Sequence, residues 1–377
     1  FYIMFSKKIY SVAIIFVFCI SCNGKKQSDD FSEVWSYFYT KPAEGLSLVN
    51  TNPAVYGDHI LIAPDEQLTL IDKKKGKMSW NLEFDNSPYI STEEFLIDSN
   101  TLYLKEIVNN RVYSINLQTG IINWKINSES ELFNHSNDGM DQLYLYITGR
   151  YDVIYRYSKT GKLNKTYDIS NYDIEDRSRS IRILGNQLIF SQFFREEELS
   201  HDSGRILSIH KETEEVLWEY RTDNGGFIFE PILLEDEIIY AGVTDGPGEF
   251  VALNANNGEV IWKTLGIIGQ SYTLTDSMVL VNGGVSLYAL DKFTGKELWN
   301  TGLAFGGGHG QANIAYMNGF VYHAHSGRLY VLDGTNGEIV HTEERSPDGS
   351  PFYLLTVNES KVFVQSFYAL YAYTAWE

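Results

Sequence analysis

Short apolar runs alternate along the chain with turns closed by glycine, and no long amphipathic helical pattern interrupts them. The clearest example is residues 288–299, in which an apolar run leads into a turn closed by Gly295 and a second run ends at Trp299. Two strand-like runs joined by a glycine-containing turn predict a β-hairpin. The pattern therefore predicts an all-β protein.

This pattern, Asp-x3-Gly-x3-Trp, recurs with substitutions at six other places. Glycine keeps its position in six of the seven copies, and aspartate or asparagine opens five of them. Successive tryptophan positions lie 37 to 53 residues apart, about the length of a four-stranded propeller blade. The other copies are Asp72/Gly76/Trp80, Asn116/Gly120/Trp124, Tyr157/Gly161/Lys165, His210/Glu214/Trp218, Asn254/Gly258/Trp262 and Asp333/Gly337/His341.

Each residue type in the pattern has a physical reason. Aspartate or asparagine can accept hydrogen bonds from backbone amides two residues on, and glycine supplies the positive φ of a tight hairpin. Tryptophan offers a large flat surface that can stack on the neighbouring repeat. In the copies with Lys165 and Glu214 we predict weaker or different docking. The predicted docking tryptophans are Trp35, Trp80, Trp124, Trp218, Trp262 and Trp299.

The two ends of the repeat region complement each other. Trp35 lies 45 residues before Trp80, and residues 370–374 match the strand before a turn, after which the pattern stops. The last blade is thus predicted to take its outer strand from the N-terminal end and its inner three strands from residues 352–376. The predicted fold is an eight-bladed β-propeller of four-stranded antiparallel blades over residues 31–377, closed without exposed sheet edges at the junction.

The N-terminal residues have the pattern of an export signal. Lys7 and Lys8 precede an apolar run of 12 residues, too short to span a bilayer as a helix. Residues 19–22, Cys-Ile-Ser-Cys, resemble a bacterial lipobox, so residues 1–21 are predicted to be a lipoprotein signal peptide and Cys22 the lipidated residue. Cys22 as a free thiol is the alternative. Residues 22–30 are polar and predict a flexible tether.

Charge narrows the possible partners. The formal net charge is −19, and removal of residues 1–21 with their two lysines would make it −21. Such a field repels phosphate backbones, so no nucleic-acid partner is expected. The one short basic run, Lys73 to Lys75, is predicted to be a solvated turn. The mature chain would keep a single cysteine, so no intramolecular disulfide is expected.

The repeat resembles the PQQ-like (quinoprotein) β-propeller repeat with its tryptophan-docking motif, over essentially all of residues 31–377. With the predicted lipid anchor, the layout is similar to the BamB-like lipoproteins of the outer-membrane β-barrel assembly machinery. That resemblance implies a protein of the bacterial cell envelope, anchored to a membrane, expected to be the outer one, and facing the periplasm or the surface. Its partners would be other envelope proteins, including a β-barrel assembly complex.

The same resemblance includes quinone-dependent dehydrogenases, which hold their cofactor with a vicinal disulfide, a tryptophan floor and a calcium ion. A mature chain with one cysteine cannot form that disulfide, and these enzymes are generally longer, with extra elements over the channel. We therefore expect no cofactor and no enzymatic activity. Three functions remain: a non-enzymatic scaffold for envelope proteins, a glycan- or small-ligand-binding surface lipoprotein, and, as the least favoured, a quinone-dependent oxidoreductase.

Three histidines could in principle converge on a metal or ligand. His323 and His325 are two residues apart, so on a strand they would face the same way, and His309 lies in the glycine-rich run 306–310. Without a fixed third ligand, ordinary hydrogen-bonded strand histidines are the favoured interpretation. No metal site is predicted.

The longest spacing, in blade 4, predicts an inserted loop that could contact a partner. It contains Phe194, Arg195, Glu196, Glu197 and Glu198, between strands predicted near 187–193 and 205–210. Phe250 in the equivalent loop of blade 5 is predicted to extend this acidic, partly aromatic rim. Loops on a rigid frame commonly carry function, although a solvated charged loop is the alternative.

Overall fold

The computed structural model describes most of the propeller region. Within the described ranges the chain forms eight four-stranded antiparallel sheets, each built from strands consecutive in sequence except the last. The described ranges are 31–39, 51–64, 67–84, 95–129, 131–132, 137–150, 153–169, 180–195, 202–222, 226, 228, 232–244, 247–303 and 313–377, without the side chains of 193–195 and 202–203. Residues 1–30, with Cys22 and the predicted signal peptide and tether, lie outside them.

The sheets are the predicted blades, and the β-propeller fold is confirmed. The strands are β1 Glu33–Phe38; in blade 1, β2 Ala54–Tyr56, β3 His59–Ile62, β4 Gln67–Asp72 and β5 Lys77–Glu83; in blade 2, β6 Leu96–Asp98, β7 Thr101–Glu106, β8 Arg111–Asn116 and β9 Ile122–Asn127; in blade 3, β10 Gly139–Met140, β11 Tyr144–Gly149, β12 Val153–Ser158 and β13 Leu163–Asp168; in blade 4, β14 Ile181–Leu184, β15 Gln187–Arg195, β16 Asp202–His210 and β17 Val216–Arg221. They continue in blade 5 with β18 Leu233–Glu235, β19 Ile238–Val243, β20 Glu249–Asn254 and β21 Val260–Leu265; in blade 6 with β22 Ser271–Leu274, β23 Met278–Asn282, β24 Ser286–Asp291 and β25 Glu297–Gly302; in blade 7 with β26 Ile314–Met317, β27 Phe320–His325, β28 Arg328–Asp333 and β29 Ile339–Glu343; and in blade 8 with β30 Phe352–Asn358, β31 Lys361–Ser366 and β32 Ala369–Thr374.

Blade 8 closes the ring as predicted. β1 pairs antiparallel with β32, with Trp35 opposite Ala372. The Thr374 amide donates to the Ser32 carbonyl at 2.9 Å, and the Ser32 amide donates to Thr374 Oγ1 at 3.0 Å. The first and last strands of the propeller region thus pair with each other in the same way as the third and fourth strands of the other blades, which are joined by a continuous turn. The described residues contain no helix with the length and apolar character needed to cross a membrane.

The order of strands gives the ring two different faces. In every blade, the turns between the first and second strands and between the third and fourth strands emerge on one face, which we call the turn face; Asp58 and Lys74 lie there. The loops between the second and third strands and the blade-to-blade connections emerge on the opposite, connection face, as Gly327 and Tyr368 do. Of the predicted contact rim, the backbone of Phe194 and Arg195 at the end of β15 lies at the connection face.

The third-to-fourth-strand turns have the predicted chemistry. Asp291 Oδ1 accepts hydrogen bonds from the amides of Phe293 at 3.1 Å and Thr294 at 2.8 Å, and Gly295 has φ +69°. In blade 4, His210 Nδ1 replaces the carboxylate and accepts from Glu212 and Thr213 amides. Blade 3 corrects the predicted alignment: its turn is one residue shorter, so Ser158, not Tyr157, opens it, with the Gly161 amide donating to the Ser158 carbonyl.

A β-bulge precedes the tryptophan position in all eight outer strands. In blade 5, Ala252 pairs with Trp262 whereas Leu253 pairs with Val260, which leaves Ile261 as the extra residue. Val260 and Ile261 are both exposed while Trp262 is buried. Because a bulge bends the strand and re-aims the following side chain, it turns each docking residue toward the next blade.

Candidate functional site

Tryptophans at the docking position join neighbouring blades. Each indole Nε1 donates to the carbonyl of the residue that follows the turn-opening position of the next blade, at 2.7 to 3.1 Å. The pairs are Trp35 with Lys73, Trp80 with Leu117, Trp124 with Lys159, Trp218 with Ala255, Trp262 with Lys292 and Trp299 with Gly334. The same bond thus recurs at six of the eight seams between blades.

The turn glycine has a second role at these seams. A Cβ atom added to Gly295 would lie 2.4 Å from Trp262 Cε3, closer than side-chain atoms pack. The indole plane therefore rests directly on the backbone of the next turn. A side chain at this position is compatible only with a docking residue smaller or more flexible than tryptophan.

The seam between blades 3 and 4 shows that exchange. Lys165 occupies the tryptophan position and donates to the Lys211 carbonyl at 3.2 Å and the Glu212 carbonyl at 2.7 Å. Glu214 occupies the glycine position with φ +63°, and its carboxylate lies 2.8 Å from Lys165 Nζ. A charged pair therefore replaces indole-on-glycine stacking, and Arg156 with Glu212 adds a second pair at 2.7 Å.

Replacing the Lys165–Glu214 pair with the tryptophan–glycine pair of the other seams should show that the two positions depend on each other. Lys165→Trp should lower the free energy of unfolding by about 1 kcal/mol or more, because the indole would overlap the Glu214 side chain. Lys165→Trp combined with Glu214→Gly should recover most of that loss, since glycine provides the surface on which the indole rests. Urea titration followed by circular dichroism measures both. Additive effects of the two substitutions would show that the residues do not face each other.

The seam between blades 7 and 8 is aromatic. His341 occupies the docking position, and its ring centroid lies 5.1 Å from that of Phe31 and 5.4 Å from that of Trp376. Phe31 takes the glycine position of the split turn, four residues before Trp35. Trp376 also donates its amide to the Tyr322 hydroxyl at 2.7 Å. The residues at the two ends of the described propeller thus pack together around His341.

Lysines add ion pairs on the turn face, which the sequence pattern did not indicate. Four seams have a lysine immediately after the turn-opening position, and each lysine reaches a carboxylate in the preceding blade. Lys73 was predicted to be solvated, but its side chain is buried and bonds Glu359 at 2.9 Å and Asn358 at 2.7 Å. The other pairs are Lys159 with Asp98, Lys211 with Asp141 and Lys292 with Glu235.

The predicted partner rim is only partly within the described residues. Phe194 and Arg195 belong to strand β15, which extends beyond the predicted boundary and pairs with β16 up to Asp202. Glu196, Glu197 and Glu198 lie outside the described residues. The prediction for Phe250 is corrected: it lies in β20, is fully buried, and packs on Trp262 and Tyr272 with centroids 6.1 and 4.8 Å away. Its ring belongs to the core between blades 5 and 6, so it offers no surface contact.

His323 and His325 lie side by side on β27, as predicted, but they are buried. Their ring centroids are 5.3 Å apart in a stacked arrangement, and His323 Nδ1 bonds the Asn313 carbonyl at 3.1 Å. Burial, helped by the neighbouring His325, lowers the pKa of His323 to about 3. His309 lies outside the described residues, and the described residues contain no group of three His, Cys, Asp or Glu placed to hold a metal.

The described residues do not match the quinone site of the dehydrogenases with a similar repeat. All seven tryptophans lie at seams, six in docking positions and Trp376 beside His341, so none forms a floor in the central channel. A cavity of about 570 Å³ opens between the first strands of blades 6, 7 and 8. Its lining includes one carboxylate, Asp276, and no lysine, arginine or tryptophan. Its residues therefore do not fit that cofactor.

Blade 8 presents a row of aromatic side chains on the connection face. We call Phe38, Tyr353, Phe367 and Tyr368 the aromatic row. The centroids of Tyr353 and Phe367 are 4.4 Å apart and those of Phe367 and Tyr368 are 6.5 Å apart, while Tyr39, next to Phe38, donates its amide to the Tyr368 carbonyl. Phe38 is 58% exposed and Tyr368 44%. The row therefore crosses the blade from the first strand to the outer strand with its rings partly in solvent.

A hydrogen-bonded carboxylate fixes the backbone beneath this row. Asp348, in the connection before β30, accepts from the hydroxyls of Ser346 at 2.6 Å and of Ser366 and Tyr371 at 2.7 Å. It also accepts from the Ser350 amide at 2.7 Å. Burial alone would raise the pKa of Asp348, but these bonds hold it at about 2. The connection is thus tied to β31 and β32, on either side of Phe367 and Tyr368.

Comparison with known proteins supports the repeat and the fold. The family model described as outer membrane protein assembly factor BamB matches residues 282–375. These residues are therefore similar to the repeat that this family model describes. No curated protein sequence matches the chain.

Solved structures extend the likeness to nearly all of the propeller. BamB from Moraxella catarrhalis has a TM-score of 0.68 at 12% identity, over 91% of this chain and 99% of that one. Quinohemoprotein alcohol dehydrogenase from Comamonas testosteroni has a TM-score of 0.67 at 12% identity, over 92% and 76%. A europium-containing methanol dehydrogenase has a TM-score of 0.60 at 9% identity, over 91% and 93%. Such low identities establish the fold alone, which scaffolding and catalytic proteins share.

Proposed function

We propose that the chain is a non-enzymatic, membrane-anchored propeller scaffold that binds other cell-envelope proteins through its connection face, in outer-membrane protein assembly. The aromatic row carries this proposal. Tyrosine and other aromatic residues on a rigid frame are typical anchors of protein interfaces, because they bury a large area with little loss of side-chain freedom. The lipid anchor at Cys22 would hold this face near its partners.

Two further observations favour binding over catalysis. The tryptophans are committed to the seams, and the channel lining does not match the quinone site of related dehydrogenases. In addition, the exposed rings of blade 8 lie over a hydrogen-bonded support rather than beside reactive groups. A surface held in one conformation loses less entropy on association than a flexible one.

Site-specific photocrosslinking tests the proposed face. With p-benzoylphenylalanine in place of Tyr368, bacterial cells that produce the chain should yield a discrete adduct with an envelope protein after irradiation. The matched control places the same photoreactive residue at Phe293, which is 63% exposed on the turn face, and should yield none. Equal labelling from both positions, or no adduct from Tyr368, would overturn the assignment of the connection face.

A further inference from the structure

We infer that Arg345 and the aromatic row together bind a polypeptide segment that places one carboxylate next to an aromatic or large aliphatic side chain. This inference rests on the proposed scaffold function and specifies the chemistry of the partner. It follows from the missing ion-pair partner of Arg345 among the described residues, from its position beside the row and from the net charge of the chain.

Five other arginines of the propeller each have a carboxylate partner, whereas Arg345 has none among the described residues. Arg150, Arg156, Arg205, Arg221 and Arg328 each form an ion pair with a glutamate. Arg345 is exposed, and it takes part in none of the ion pairs between residues that the structure describes. The three nearest acidic groups along the chain are already engaged: Glu343 bonds His341, Glu344 bonds Arg328, and Asp348 is held by its serine and tyrosine donors.

The guanidinium lies at the inner end of the aromatic row. A Cβ atom added to Gly327 would meet Arg345 Nη1 at 3.4 Å and Pro351 at 2.7 Å, which places the guanidinium over the turn of blade 7 next to β30. Tyr353 is close enough that Arg345 acts on its hydroxyl: burial raises the pKa of Tyr353 to about 12, and Arg345 opposes that rise. A carboxylate bound to Arg345 would therefore lie beside the Tyr353 and Phe367 rings.

The charge of the whole chain narrows the partner further. With a formal net charge of −19, the protein repels an acidic tract and attracts a basic one. Arg345 is a local exception that can pair with a single carboxylate, and arginine does so with two parallel hydrogen bonds. The segment that fits both features carries one acidic residue beside an apolar anchor, with neutral or basic residues on either side.

Selection from random peptides tests this chemistry directly. A phage-displayed library of random 12-residue peptides is panned on the purified full-length chain, and the selected peptides are titrated by fluorescence polarisation against wild-type and variant proteins. We expect a shared Asp or Glu within two positions of an aromatic residue or leucine. Arg345→Gln should weaken binding at least tenfold, Arg345→Lys should weaken it less, and Phe293→Ala on the turn face should leave it unchanged.

The outcomes separate this inference from the proposed function. Peptides that lose affinity in Phe367→Ala but not in Arg345→Gln would keep the aromatic row as an interface and overturn the carboxylate anchor. Peptides without an acidic residue, or peptides insensitive to both substitutions, would overturn the inference outright. Binding of soluble oligosaccharides, or self-association of the chain that is lost in Phe367→Ala, would replace the peptide partner with a glycan or a second copy.

Discussion

Replacing Trp262 with alanine should lower the free energy of unfolding by about 4 kcal/mol. The indole is 8% exposed, contacts the Phe250 and Tyr240 rings and donates to the Lys292 carbonyl at 3.0 Å. Truncation would remove these contacts and leave a cavity between blades 5 and 6 that the strands on either side cannot close. Equilibrium urea unfolding monitored by far-ultraviolet circular dichroism measures the loss as a shift of the midpoint.

Two variants separate the parts of this effect. Trp262→Phe keeps a buried ring but loses the indole N–H, so it should cost about 1 to 2 kcal/mol for the unpaired Lys292 carbonyl and the smaller surface. Gly295→Ala should be costly in the wild type and less so in Trp262→Ala, because the added Cβ then meets no indole. A loss below about 1 kcal/mol for Trp262→Ala would contradict the idea that indole docking holds the seam.

The repeat and its closure could be predicted from sequence because their determinants are local. Asp291, Gly295 and Trp299 lie within nine residues, and the same residue types recur at this spacing in most blades. Hydrogen bonding by the side chain, positive φ and indole size are properties of a residue type, so a recurring spacing is enough to reveal them. The split blade followed from the same spacing, since Trp35 continues the series at the other end.

The unusual seams depend on contacts between distant positions, which spacing does not show. Lys165 and Glu214 are separated by a whole blade, and only their juxtaposition explains why glycine is dispensable there. The lysine pairs likewise join residues of neighbouring blades, and one of them, Lys73 with Glu359, joins opposite ends of the propeller. Phe250 was misplaced for a related reason: an aromatic residue after a glycine-rich turn fits either a loop or the start of a strand, and the packing of Trp262 decides between them.

The aromatic row was missed because no local pattern contains it. Phe38 comes from the N-terminal strand, while Tyr353 and Phe367 come from the last two hairpins, and ring closure brings them onto one blade. The sequence directed attention instead to the longest inserted loop, where acidic residues are conspicuous. A signal was nevertheless present: the turn of blade 8 consists of Phe367 and Tyr368, whereas the corresponding turns of blades 6 and 7 contain glycine, valine and serine but no aromatic residue.

Between pH 7 and pH 5 the protein should lose about 2 kcal/mol of stability through His323 alone. Its folded-state pKa is about 3 against an ordinary value of 6.5, so the native state keeps the ring neutral. Below pH 6.5 the unfolded chain binds a proton that the native chain cannot, and stability falls as the pH drops toward 3. The cause is burial: Nε2 has no hydrogen-bond partner among the described residues, and His325 lies against the ring.

The comparison with a variant isolates this contribution from the titration of the many carboxylates. His323→Asn retains an amide that can donate to the Asn313 carbonyl but cannot gain a proton, so its unfolding free energy should fall less between pH 7 and pH 5, by about 2 kcal/mol, than that of the wild type. His323→Asn with His325→Asn should flatten the dependence further, because burial lowers the pKa of His325 as well. Identical slopes for wild type and His323→Asn would mean that the imidazole takes up its proton in the folded state, through a local opening of β27 that exposes Nε2 to water.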